Sequence, residues 1–190
     1  YIGKLKRTIT LGDYMKSMSI EESEVVEHEP KIDVINIEDI KEILEQQITC
    51  NMAIANEGIH NSYGANIGHV ILNMDSDCVK TRAKAYAAAG SDARMNGCEL
   101  PVVINSGSGN QGITCCVPVV VYAKELDCTQ EQLYRALVLS NLTAIYIKTG
   151  IGTLSAFCGA VSAGAAAGAG VAYLHNGTYK EIQHTIVNAL

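Results

Sequence analysis

Thr149-Gly-Ile-Gly-Thr-Leu-Ser-Ala-Phe-Cys-Gly-Ala-Val-Ser-Ala-Gly-Ala-Ala-Ala-Gly-Ala-Gly-Val-Ala-Tyr-Leu174 carries no charged side chain, and twelve of its residues between Ala156 and Ala172 are Ala or Gly. Its length passes the roughly 20 residues that cross a bilayer as a helix. Ala and Gly give little hydrophobic drive, however, and Ser155 and Ser162 dilute it further, so hydropathy argues against a membrane span. A central helix in a protein core fits better. Small side chains at Gly159, Ala163 and Ala167, and at Gly164 and Gly168, let neighbouring backbones come close. Gly inside a helix costs up to ~1 kcal/mol relative to Ala, so this many imply close packing or a bound group that offsets the cost.

Working outward, the helical period recurs. Thr129-Gln-Glu-Gln132 has the form of a capping box and starts a helix with Leu133, Ala136, Leu137 and Ser140 on one side. Ile113 to Ala123 is an apolar stretch behind a Gly-rich loop, and Pro101-Val-Val-Ile104 is a short apolar run before it. Ser76 or Asp77 opens a helix containing Ala83, Ala85 and Ala87–Ala89. Asn36 can cap another, with Asp39 in its first turn and a stripe of Ile37, Ile40, Leu44 and Ile48; this helix is predicted to run to about Asn56 and end at Gly58. Gly58 to Gly68 reads as an irregular loop. Residues 1–35 show no clear period: Lys4 to Leu11 alternates weakly, as a strand does, and Ser19 to Glu29 is acidic. The fold class is mainly α, a helical domain over residues 36–190 with a central Ala/Gly-rich helix and a small N-terminal appendage open to a β reading.

Composition bounds the function. The 190 residues carry a formal charge of -6, so no basic surplus exists to neutralise nucleic-acid phosphates. With 48% apolar and 18% charged residues, the chain is not intrinsically disordered. Seven cysteines leave at least one thiol unpaired, no CxxC pair exists, and Tyr1 to Arg7 does not have the apolar core of a secretory leader, so a reducing cytoplasm is the simplest compartment. The chain starts at Tyr1 rather than Met and stops inside a helical pattern of Ile182, Ile186 and Ala189/Leu190, so it reads as a piece of a longer protein.

Three places could carry chemistry. Asn105-Ser-Gly-Ser-Gly-Asn-Gln-Gly112 precedes an apolar helix. Its glycines allow consecutive N–H groups to point into one concavity, and a helix N-terminus adds partial positive charge, a combination that binds carboxylate or phosphate. The same residues serve equally as a plain loop leading into a helix: Gly107, Gly109 and Gly112 match GxGxxG, but no βαβ pattern surrounds them and no GK[ST] follows. Cys158 is either a small buried hydrophobe or a metal-cluster thiolate, and the second needs further ligands. His60, Asn61, Ser62 and Tyr63 sit on a Gly-flanked loop, where His60 is either an acid–base group or a satisfied loop histidine. The remaining cysteines read as fillers, and adjacent Cys115 and Cys116 face different directions on a helix.

Glu57-Gly-Ile-His-Asn-Ser-Tyr-Gly-Ala-Asn-Ile-Gly68, Asn105-Ser-Gly-Ser-Gly-Asn-Gln-Gly-Ile-Thr114 and Leu154-Ser-Ala-Phe-Cys-Gly159 occur in this order. Together they resemble the L-cysteine desulfidase/YhaM-like family (UPF0597), itself similar to the alpha chain of the iron–sulfur L-serine dehydratases. The resemblance covers roughly Asn36 to Leu190, and the phrase from Gly107 to Gly112 is its most specific part. It implies a lyase that removes the β-substituent of a small L-amino acid: L-cysteine to pyruvate, ammonia and sulfide, or L-serine to pyruvate and ammonia. It further implies an oxygen-sensitive [4Fe-4S] cluster on three cysteines, with an open iron acting as a Lewis acid. Cys158 matches the first of them; the other two belong to a CDGAxxxC-like segment nearer the family's C-terminus, and a GCTEP-like segment near its N-terminus holds the cysteine assigned as base. Neither segment occurs in these 190 residues, so the chain alone is expected to be inactive. By the same resemblance Ser106, Gly107, Ser108, Gly109, Asn110, Gln111 and Gly112 hold the substrate carboxylate. Asn61 and Ser62 lie near the pocket, with His60 the candidate catalytic residue. The alternative is a non-catalytic α-helical module that binds carboxylate or another anion. The expected partner is a small L-amino acid, with no nucleic acid and no membrane; the Gly/Ala helix can pack against a second copy as well as within its own subunit, which leaves a homo-oligomer open.

Overall fold

A computed structural model describes residues 35–152 and 159–190. The appendage at 1–35, apart from Ile35, and Cys158 lie outside the described residues. A 3-10 turn at Ile37–Asp39 leads into α1 (Lys41–His60), followed by α2 (Ile67–Met74), α3 (Val79–Met95), α4 (Gly109–Glu125), α5 (Gln130–Ile151), α6 (Gly159–Leu174) and α7 (Tyr179–Ala189). The described residues contain no strand; a lone bridge joins Asn105 to Ser108. The mainly α class holds.

Tight packing begins in α1, and it changes how the sequence there is read. Ile40, not Asn36, precedes the helix, because the 3-10 turn takes up the first residues of the apolar stripe. Gly58 is not a terminator either: α1 continues to His60, and a Cβ at Gly58 would overlap the Ala89 carbonyl oxygen of α3. Gly68 of α2 makes the same kind of approach, 2.7 Å from the Ala85 carbonyl oxygen for an added Cβ, and Gly90 of α3 would place one 3.2 Å from the Ala55 Cα. Small residues therefore knit α1, α2 and α3 at backbone distance, where dispersion contacts are densest. α2 takes in Ile67 and Gly68 from the stretch read as loop, and α3 begins after Cys78 rather than at Ser76 or Asp77.

The core is centred on α4, whose Ile113, Cys115, Cys116, Val117 and Val119 are fully buried. α4 touches α1, α3, α5 and α6, while α6 lies against α4, α5 and α7. On α6, Ala163 and Ala166 join Cys115 and Ala144 in one buried cluster, and a Cβ on Gly170 would come within 3.0 Å of both the Ala136 carbonyl oxygen and Val119 Cγ2. Gly164, by contrast, faces open space, so close packing accounts for only some of the helical glycines. No helix among the described residues is long and apolar enough to cross a membrane. The Thr129–Gln132 capping box forms as read, and Thr178 with Glu181 makes a second one at the start of α7.

Candidate functional site

Between α3 and α4 the chain makes a tight turn over Asn105-Ser106-Gly107-Ser108. The Asn105 N–H donates to the Ser108 carbonyl (3.1 Å) and the Ser108 N–H to the Asn105 carbonyl (3.0 Å). Both central residues have positive φ, 49° at Ser106 and 82° at Gly107, the pattern of a type I′ turn. Gly suits that region at no steric cost, whereas Ser106 is held there against a cost of order 1 kcal/mol. Ser108 is the N-cap of α4, its Oγ 3.5 Å from the Gln111 nitrogen. The stretch read as one loop thus divides: Ser106 to Ser108 turn, and Gly109 to Gly112 form the first helical turn. Gly112 is glycine because a Cβ there would overlap the Val103 carbonyl oxygen, so the extended segment before the turn lies directly on the helix start. The N–H groups of Gly109 and Asn110 donate to nothing among the described residues, as the first amides of a helix leave room for a ligand.

Behind the turn lie four amide side chains, three of them hydrogen-bonded to one another. Asn51 of α1 brackets Val103, accepting from its N–H (2.8 Å) and donating to its carbonyl (3.1 Å). Asn105 Nδ2 donates to Asn141 Oδ1 (2.9 Å), and Gln47 and Asn141 exchange hydrogen bonds of 2.9 and 2.8 Å. Gln47, Asn51 and Asn105 are buried. The sequence carries a signal for part of this group: Gln47 and Asn51 fall on the apolar stripe between Leu44 and Ile54, where a polar residue needs a partner.

Arg94 does not stand out in the sequence, since a cation in the last turn of a helix ordinarily complements the dipole of its own helix. Here it crosses instead to the start of α4. Its side chain lies over Gly109, where a Cβ would overlap Nε, and Nη1 donates to Asn110 Oδ1 (3.2 Å). No carboxylate among the described residues pairs with it. On the other side of the same helix start, a Cβ on Gly159 would overlap the Gln111 carboxamide, which seats that amide on the first residue of α6. Gln111 Oε1 is buried and has no hydrogen-bond partner among the described residues. Gly109 and Gln111 are two positions apart, roughly 200° around the helix, so Arg94 and the α6 start flank opposite sides of the α4 N-terminus.

The His60 region docks elsewhere on α3. His60 is exposed at the end of α1, Nδ1 2.7 Å from the Asn56 carbonyl oxygen. Asn61 Nδ2 and the Tyr63 hydroxyl both donate to Glu57 Oε1, each at 2.9 Å, and Ser62 is exposed. That carboxylate, followed by partial burial and the nearby Cys98, pushes the Tyr63 phenol up to about 12. The loop then meets Asp92, which accepts from the Ile67 N–H (2.8 Å), and Asn96, which fills the space beside Gly64. Asp92 and Asn96 share one face of α3, and Arg94 points away from it. The two sequence-predicted loops therefore converge on one end of α3 but on opposite flanks.

The described donors do not make a site for the [4Fe-4S] cluster that the resemblance implies: no group of three or more His, Cys, Asp or Glu side chains among them is placed to hold a metal ion, and Cys158 lies outside the described residues. Cys115 and Cys116 do face apart, their thiols donating to the Ala163 carbonyl (3.9 Å) and the Gln47 carbonyl (3.8 Å). Burial pushes the Cys115 thiol up to about 12 and Cys116 higher still. Cys78 is the opposite case, exposed at the N-cap of α3 with its thiol held below the usual range by the Thr81 hydroxyl 3.3 Å away. Among the described cysteines, iodoacetamide at neutral pH is accordingly expected to alkylate Cys78 first and to leave Cys115 and Cys116 untouched until the protein unfolds. Peptide mass mapping over time checks this, and early modification of either buried thiol would contradict the burial described.

Residues 11–190 match the family described as serine dehydratase alpha chain. A UPF0597 protein of Desulfitobacterium hafniense is 62% identical over 157 residues, covering 83% of this chain and 36% of its own length. Those of Lachnoclostridium phytofermentans and Finegoldia magna are 58% and 51% identical, each over 82% of this chain and 37% of their own. The chain thus spans a little over a third of the length of these relatives. No solved structure matches. With nearly the whole chain matched by the family and such identity to several relatives, the chain belongs to the serine dehydratase alpha-chain family, on its UPF0597 side.

Proposed function

We propose that the intact protein is a lyase that eliminates the β-substituent of a small L-amino acid, L-cysteine or L-serine, and that this chain supplies the cradle for the amino acid's carboxylate. The observation that carries the reading is Arg94, a guanidinium without a carboxylate partner among the described residues, laid beside two undonated amides at the start of α4. A carboxylate there receives charge-assisted hydrogen bonds from the planar fork and lies on the positive end of the helix dipole. Held by its carboxylate, the substrate loses orientational freedom before the reaction, which lowers the entropic part of the barrier. His60 is given no step, since it leads into the loop on the other flank of α3. The [4Fe-4S] cluster belongs to this proposal as a component of the intact protein, with Cys158 as the ligand from this chain.

The same cradle would serve a module that binds carboxylates without reacting, and turnover separates the two. The intact protein, purified and reconstituted without oxygen, is expected to release pyruvate from L-serine or L-cysteine in an assay coupled to lactate dehydrogenase. Saturable binding of both amino acids with no pyruvate from either would favour the binding module. Absence of binding would dismiss both.

A further inference from the structure

We propose that Asn141, in the middle of α5, is the positioning residue of the substrate cradle, acting through Asn105; this rests on the carboxylate reading of the turn and α4 start. Every polar valence of Asn141 is engaged. Its Oδ1 accepts from Gln47 Nε2 (2.9 Å) and from Asn105 Nδ2 (2.9 Å). Its Nδ2 donates to Gln47 Oε1 (2.8 Å) and to the Leu137 carbonyl (2.9 Å). Its main-chain carbonyl takes a further contact from Asn105 Nδ2 (3.3 Å). Asn105 is thereby fixed with Nδ2 towards α5 and Oδ1 towards the turn, where the Ser106 hydroxyl donates to it (2.7 Å).

The relay ends on the residue that needs it. Ser106 is a non-glycine residue at positive φ, and such a conformation persists only where its surroundings over-determine it. Two constraints do so: the paired main-chain hydrogen bonds between Asn105 and Ser108, and the side-chain bond from Ser106 to Asn105. The first closes the turn; the second, through Asn141, ties it to the middle of α5. Apolar side chains at 105 and 141 would fill the same space without desolvating two carboxamides, and a polar link of this kind specifies one arrangement of the turn. What it specifies is the direction in which the turn, and hence the Gly109 and Asn110 amides that follow, faces a ligand.

The test is binding of L-serine and L-cysteine to the intact protein by equilibrium dialysis, at a temperature where circular dichroism shows every variant folded. Asn141→Ala and Asn105→Ala are each expected to raise the dissociation constants about tenfold, and the double variant to be no weaker than the weaker single, because both remove one link. Gln47→Leu keeps the Asn141–Asn105 link and is expected to lower the unfolding midpoint while leaving the dissociation constants within about twofold. Should Asn141→Ala not fold, Asn105→Ala breaks the same link from the other end, and Asn141→Ser reduces it with less loss of volume. Unchanged affinity in these variants, or equal weakening by Gln47→Leu, would reduce Asn141 to a packing role and overturn the proposal. Arg94→Gln is the separate arm: if it leaves the affinities unchanged, the carboxylate reading itself fails, and the positioning role with it.

Discussion

Gly112→Ala is expected to destabilise the protein by about 3 kcal/mol or more, at the upper end of what overpacking costs. The added methyl has nowhere to go. Its position overlaps the Val103 carbonyl oxygen and lies 3.0 Å from the Ile104 Cα, and both are backbone atoms of a segment held from behind by Asn51. Relief requires the extended segment to lift off α4, which breaks the Asn51 bracket and opens the core beside Ile113. For a domain of this size a loss of that order lowers the unfolding midpoint by about 6–12 °C. Two other glycines calibrate the experiment. Gly164→Ala adds its methyl to open space on a helix and is expected to be neutral or to stabilise by up to ~1 kcal/mol. Gly107→Ala also meets open space but forces a side chain onto a φ of 82°, and is expected to cost of order 1 kcal/mol. The ranking 164, then 107, then 112, read by thermal denaturation, follows from backbone conformation and proximity alone. A Gly112→Ala protein as stable as Gly164→Ala would show that the segment and α4 are not in contact as described.

That ranking also shows what kind of information the sequence holds. The phrase from Ser106 to Gly112 is recognisable because a type I′ turn and a helix start both demand particular residues at particular places. Thr129 to Gln132 is legible for the same reason, since a capping box is a local hydrogen-bond pattern between residues three apart. α2 is not: it starts after Asn66, which takes a left-handed conformation with no side-chain cap, and its residues follow a Gly- and Asn-rich stretch that reads as loop. Gly58 misleads because a glycine after an apolar stripe has two explanations, chain reversal and close approach, and only the position of Ala89 on another helix decides between them. Arg94 is the extreme case. Nothing within its own helix distinguishes a guanidinium that caps its dipole from one that crosses to the next helix. Local demands on the backbone are written locally, whereas the group that supplies charge to the site is set by which two helices pack.

Arg94→Gln is expected to weaken binding of L-serine and L-cysteine by about 30-fold, within the roughly 1.5–3 kcal/mol that a hydrogen bond to a charged group contributes. The amide of glutamine can still donate to Asn110 Oδ1, so the surroundings of the site persist while the charge and the second arm of the fork are lost. Arg94→Lys keeps the charge without the planar pair of donors and should fall between the two. Stability provides the contrast: with no carboxylate among the described residues paired to Arg94, its removal strands no buried acid there, and the unfolding midpoint should move by no more than a few degrees. Salt provides a second. Affinity in the native protein should decline as ionic strength rises, and more gently once the guanidinium is gone, because part of the attraction has been removed. The carboxylate reading requires these effects together, since a loss of binding accompanied by a matching loss of stability would describe a structural arginine, and an Arg94→Gln protein that binds both amino acids with native affinity and native salt dependence would leave the start of α4 without a ligand.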